Sequence, residues 1–215
     1  FFGKLSKWSP IDRIEIPVAA DYSHLPFKEV GDSLVLKSGS YSVSKDVVFP
    51  KDKFIVFKAG VRLNLINSAA FISYSPVLMG GKAGNPIQVT SSDKSANGFN
   101  VLTKNGISIM KYVQFSNLSS LNKEFWKLTG AVTIYQGEAL IMNCSFDNNN
   151  CEDGLNLVRC EFIMENSSVS NTTSDGFDGD FCRGRVIASQ FQNTGNDCLD
   201  FSGSDILIEN CSFKN

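Results

Sequence analysis

Three short phrases of this chain nearly superimpose: Asp153-Gly154-Leu155-Asn156-Leu157, Asp175-Gly176-Phe177-Asp178-Gly179 and Asp197-Cys198-Leu199-Asp200-Phe201, each starting 22 residues after the one before. A second phrase keeps the same register, Asn143 to Asn148, Asn166 to Asn171, Ala188 to Asn193 and Asn210 to Asn215, at steps of 23, 22 and 22. A fixed period in this range means stacked supersecondary units, none able to bury its apolar face alone. Inside a unit apolar and polar residues alternate, as in Ile206-Leu207-Ile208-Glu209-Asn210, which is strand periodicity. At about 3.3 Å per residue, one such unit of extended chain with three turns closes a single coil. The pattern predicts an all-β fold, a right-handed parallel β-helix of coils of about 22 residues.

The asparagines test that reading separately. Asn143, Asn166 and Asn210 fall at one point of the coil, and Asn117, Asn148, Asn171, Asn193 and Asn215 at another. Equivalent points on successive coils lie about 4.8 Å apart, where stacked amides can donate and accept along the axis. The inward ladder is then Phe115, Phe146, Val169, Phe191 and Phe213, with Ile141, Met164, Val186 and Ile208 on a second wall. On this reading the chain's 17 phenylalanines are core.

A length of 215 residues with 42% hydrophobic content suffices for one sizeable core. A formal charge of −2 without a basic block gives no case for nucleic acid, and no apolar run is long enough to span a membrane. Residues 1–45 carry Trp8, Pro10, Pro17, Pro26 and the lone His24 without a clear period. They are expected to form a lead-in or cap, with the β-helix over 46–215. The chain opens at Phe1 and stops on the asparagine ladder at Asn215, so further coils or a cap of a parent chain are expected beyond it.

One stretch breaks the period. Leu118 to Thr129 is inserted at a turn where later coils have only a few residues, and insertions in solenoids map to loops on one face, often the working one. It borders the strip carried by 155–157, 177–180 and 199–202. There Leu155, Leu157, Phe177, Leu199 and Phe201 have inward parity, so Asn156, Asp178, Asp180, Asp200 and Ser202 point outward. Asp153, Asp175 and Asp197 stack at the preceding turn, with Glu152 beside them. Carboxylates one coil apart repel, so the strip needs a cation, a basic neighbour or a raised pKa. Asp178, Asp180 and Asp200 could hold Ca²⁺; Arg159, Arg183 and Arg185 could neutralise the strip; a shared proton would make a general acid and base pair.

The repeat resembles the pectate-lyase-like superfamily of right-handed β-helices over roughly residues 50–215. Thr173-Ser174-Asp175-Gly176-Phe177-Asp178 and Gly195-Asn196-Asp197-Cys198-Leu199 are also similar to the paired polygalacturonase motifs, Asn-Thr-Asp-Gly and Gln/Gly-Asp-Asp-Cys. In that family three aspartates act together, one protonating the leaving group and two orienting water. Asp175 and Asp197 match two of them, whereas Asn196 stands where the proton donor would be, and an amide cannot deliver a proton. The family's later His-Gly and Arg-x-Lys motifs are absent.

The resemblance implies a polysaccharide or other glycan partner and an extracellular or cell-envelope setting. Two functions follow from it: a β-helix that binds or scaffolds on polysaccharide, or a lyase, hydrolase or epimerase using Asp175, Asp178, Asp197 and Asp200. Trp126, Phe125 and Tyr135 are candidate stacking platforms, and Asn156, Arg159 and Arg183 candidate substrate contacts. Lys127 and Arg185 are further candidates by position. Among the six cysteines, Cys160 and Cys182 lie 22 residues apart, close enough for a disulfide. No Cys-x-x-Cys or histidine partner suggests zinc, so buried free thiols with at most one bridge are expected.

Overall fold

A computed structural model describes residues 19–123 and 126–214. It is an all-β parallel solenoid of about 8 turns, with coils of about 23 residues. Each coil contributes one strand to each of three sheets, which have nine, eight and seven strands. The chain runs from the nine-stranded to the eight-stranded and then to the seven-stranded sheet before starting the next coil. Within these sheets every pairing is parallel except that of Lys28–Val30 with Ser33–Leu36 at the first edge.

The inward ladder has the expected register: Phe115 pairs with Phe146, Phe146 with Val169, Val169 with Phe191 and Phe191 with Phe213. Ile141, Met164, Val186 and Ile208 form the second wall in the same way. Phe115 and Phe146 stack at 5.2 Å, as do Phe191 and Phe213 at 5.5 Å. Not every phenylalanine is core. Phe54 lies on an outer face and Phe181 at a corner, both well exposed, and Phe213 and Ile208, inward-facing in the last described coil, are also exposed.

The corners explain the asparagines. A single residue in the left-handed region turns each one: Tyr112, Asn143, Asn166, Ala188 and Asn210 at one corner, and Gln136, Arg159, Phe181 and Gly203 at another. Asn117, Asn148, Asn171 and Asn193 turn the third. Asparagine tolerates that conformation better than other residues with a Cβ. Amide stacking is a partial second reason: Asn148 donates to Asn117 and Asn193 to Asn171, while the Asn171 amide turns to Asp147 Oδ1 at 2.7 Å. No amide-to-amide bond occurs in the Asn143 column among the described residues; Asn166 donates instead to Glu165.

None of the six cysteines forms a disulfide, and four sit one residue after a corner. The Cys182 thiol accepts the Cys160 backbone N–H at 3.4 Å, and the Ser204 hydroxyl accepts the Cys182 N–H at 2.8 Å. The parallel column Cys144, Ser167, Ser189 repeats the arrangement, Cys144 N–H to Ser167 and Ser167 N–H to Ser189. Thiol and hydroxyl are interchangeable acceptors here, so the cysteine spacing reflects a turn ladder.

The segment 1–45 is partly helix proper. Ser33–Leu36 and Gly39–Val43 already pair in parallel with the next coil. Ahead of them Tyr22 and Phe27 pack on Phe49, at 5.3 Å and 4.9 Å between ring centroids, and His24 faces Asp21 at 3.2 Å. Trp8, Pro10, Pro17 and Asn215 fall outside the described residues.

Candidate functional site

One outward column runs the length of the seven-stranded sheet: Val48, Ile72, Asn100, Thr133, Asn156, Asp178 and Asp200 lie side by side on successive strands. Its chemistry changes from aliphatic through amide and hydroxyl to carboxylate. The inserted segment accounts for the aliphatic end. Asn122–Lys123 and Trp126–Lys127 form a two-stranded antiparallel ribbon whose Leu121, Trp126 and Leu128 pack with Tyr135 on Val48, Ile72 and Leu102. Lys123 ties the ribbon down through Asp46 at 2.8 Å and the Ser68 carbonyl at 3.2 Å. Trp126 and Tyr135, expected as sugar platforms, are thus parts of a second small core; Phe125 falls outside the described residues.

The far end of the column is open and acidic. Asp153 and Asp175 are paired across neighbouring strands, as are Asn156 and Asp178. Asn156 points outward yet is buried, because it lies between two carboxyls. Its Nδ2 donates to Asp153 Oδ2 at 3.1 Å and to Asp178 Oδ2 at 3.0 Å. Gly130 keeps this position tight, since a Cβ there would stand 2.6 Å from the Asn156 Cβ. Burial, opposed by a hydrogen bond from Thr129 and reinforced by Glu152 and Asp175, pushes the Asp153 carboxyl up to about 6. Burial and then the charges of Asp153, Asp180 and Asp200 push Asp178 up to about 7. Asp178 therefore keeps a proton well above the ordinary carboxylate range, on a face that solvent still reaches.

Asp175 and Asp197, the motif-matching aspartates, do different work. Asp175 is buried, and its Oδ1 accepts both the Asp197 backbone N–H at 2.9 Å and the Asn196 amide at 2.8 Å. It holds the next turn in place, and Asn196 has a structural occupation as its donor. The adjoining Gly176 is required by coil spacing, as a Cβ there would stand 2.6 Å from the Cys198 carbonyl oxygen. Much of the repeated Asp-Gly phrase is therefore turn architecture. The pair singled out by the geometry is Asp153 and Asp178, with Asn156 between them. Asp153 was legible as a stacked carboxyl, but nothing in the sequence marked it as the buried member of a proton-holding pair.

The candidate cations lie elsewhere. Arg183 and Arg185 are on the nine-stranded sheet, around the corner, facing Asp205 at 3.8 Å and Glu209 at 2.6 Å. Arg159 turns a corner with its guanidinium 5.8 Å from the Phe181 ring centre, and Lys127 is exposed on the ribbon. The strands Asp153–Val158, Asp175–Asp180 and Leu199–Ser202 contain no Lys or Arg. Among the described residues no three acidic, His or Cys side chains converge as a metal site.

No family model matches the sequence, and no curated protein matches it. Among solved structures, the enzymatically active domain of bacteriophage CBA120 tailspike protein 2 is similar over 83% of this chain and 38% of its own, at 8% identity and a TM-score of 0.35. The A-module of the Azotobacter vinelandii mannuronan C-5 epimerase AlgE6 is similar over 85% of this chain and 89% of its own, at 11% identity and a TM-score of 0.22. The chain thus spans well under half of the tailspike domain's length.

Proposed function

We propose that the acidic half of the seven-stranded sheet takes a linear polysaccharide along the helix axis and supplies a proton to it, making this a carbohydrate-active β-helix module that works outside the cytoplasm or on the cell envelope. The observation that carries the reading is the Asp153–Asn156–Asp178 bridge, in which one carboxyl is poised near neutrality while facing solvent. The site repeats along one axis at about 4.8 Å per coil, which suits a polymer better than a small compact ligand. Protonated Asp178 is the donor to a glycosidic oxygen, and Asp200, its neighbour on the next strand, is the second carboxyl group of the pair. The partial likeness to polygalacturonase motifs supports the class of ligand. With no Lys or Arg on these strands, neutral or amino-sugar glycans fit better than uronates.

Binding without chemistry is the second reading, favoured by Asn196 at the position of the family's proton donor. Incubation with neutral, amino-sugar and uronate polysaccharides, read by affinity electrophoresis and reducing-end release, separates the two. The expected result is retention and cleavage of a neutral or amino-sugar polymer, with Asp178→Asn lowering turnover at least about 100-fold while retaining binding. Retention without cleavage would leave a binding module. Retention and cleavage of none would overturn the proposal.

A further inference from the structure

The outer face of the nine-stranded sheet carries a second axial column, and it is apolar. Val35 pairs with Val56, Val56 with Leu78, Leu78 with Ile109, Ile109 with Leu140 and Leu140 with Ile163; Arg185 and Leu207 complete it. Ile163 is 40% exposed and Leu207 51%. A groove of about 570 Å³ lies over its C-terminal part. A continuous aliphatic stripe on an outer face is unusual for a surface that meets only water.

The column beside it says what covers the stripe. In order along the axis it reads Lys58, Gly80, Lys111, Met142, Glu165, Ile187 and Glu209. The sequence of charges is antisymmetric about Met142. Among the described residues neither Lys58 nor Lys111 has an ion-pair partner within the chain.

We propose that this face pairs with a second copy of the chain, antiparallel, about a two-fold axis through the strand Glu138–Met142. That operation sets Lys111 against Glu165 and Lys58 against Glu209 of the other copy. In the central stripe it brings Ile109 to Ile163, Val56 to Leu207 and Leu140 to its own equivalent. Arg185, already held by Glu209 at 2.6 Å, presents its alkyl stem to Leu78. The other edge is less well matched, because Glu138 meets its own copy. A two-fold parallel to the helix axis is worse: it lays Glu165 on Glu161 and Glu209 on Asp205. The stripe and its flanks span about 34 Å by about 16 Å, on the order of 1,000 Å² over two copies, where specific interfaces begin. An isologous contact of this kind closes at a dimer and leaves both acidic strips open.

Sedimentation velocity on the intact chain over a dilution series tests the pairing. The expected result is a concentration-dependent dimer, weakened about 10-fold or more by either Lys111→Glu or Glu165→Lys and restored to within about 3-fold when the two are combined. Glu138→Gln should tighten it. All three positions are at the surface, so far-UV circular dichroism is expected to be unchanged. A chain that stays monomeric to about 100 μM, or a double variant no better than the singles, would overturn the proposal. Asp178→Asn should leave the dimer unaffected, which separates this test from that of the acidic strip.

Discussion

The two ends of the outward column on the seven-stranded sheet occupy the same place in the coil and have opposite fates. Val48 and Ile72 are buried under the inserted ribbon, whereas Asp178 and Asp200, four and five strands beyond Ile72, face solvent with no lid among the described residues. The scaffold is identical at both ends, as register and inward residues show. A β-helix thus separates the core that holds it together from the face that can be used, and the face can change chemistry from coil to coil without disturbing the core. The cover makes the first end of the column part of a core, and the other end stays exposed among the described residues.

Transplanting one end into the other should give the largest effect. Ile72→Asp places an unpaired carboxylate under Trp126 and Leu128 and is expected to cost about 4 kcal/mol in urea unfolding. The converse change at the open end, Asp200→Ile on an exposed position, should cost clearly less, and equal costs would remove the distinction. Trp126→Ala comes next. As part of a half-buried lid it should cost about 2 kcal/mol of stability, yet leave polysaccharide retention unchanged; a loss of retention at unchanged stability would restore the platform role expected from sequence.

Acidity supplies the third test. Because Asp178 binds its proton more tightly in the fold than in the unfolded chain, the folded state holds the extra proton between about 3.8 and about 7. Stability contributed by this group is therefore present at low pH and lost as pH rises through that window, opposite in sign to a salt-bridged aspartate. Asp178→Asn should stabilise the protein by about 1–2 kcal/mol at pH 8, after allowing for solvent screening, and by nearly nothing at pH 4. Cys182→Ser is expected to have the smallest effect, within about 0.5 kcal/mol, because Ser204 already performs the same task one coil on.

The coil was legible because a 22-residue phrase repeated often enough to set register, parity and both walls of the core. The acidic strip was legible as a location for the same reason. What the period could not reveal was which aspartates face solvent and which brace a turn. Asp175 and Asp178 stand three residues apart in one phrase, yet one bonds the following turn and the other completes the Asn156 bridge. The packing of Trp126 was not legible because an insertion has no register, so its partners Val48 and Ile72, more than 50 residues earlier in sequence, could not be foreseen. Arg183 and Arg185 were misplaced because a corner between 180 and 183 carries the chain onto another sheet.

The most direct measurement of the central claim is carbon-detected NMR titration of the aspartate carboxyls, with Asp153→Asn and Asp178→Asn used for assignment. The account predicts midpoints of about 7 for Asp178 and about 6 for Asp153, and a marked change in the surviving partner when either is replaced. Midpoints for both in the ordinary carboxylate range, below about 4.5, would contradict it and leave the open half of the column as turn chemistry alone.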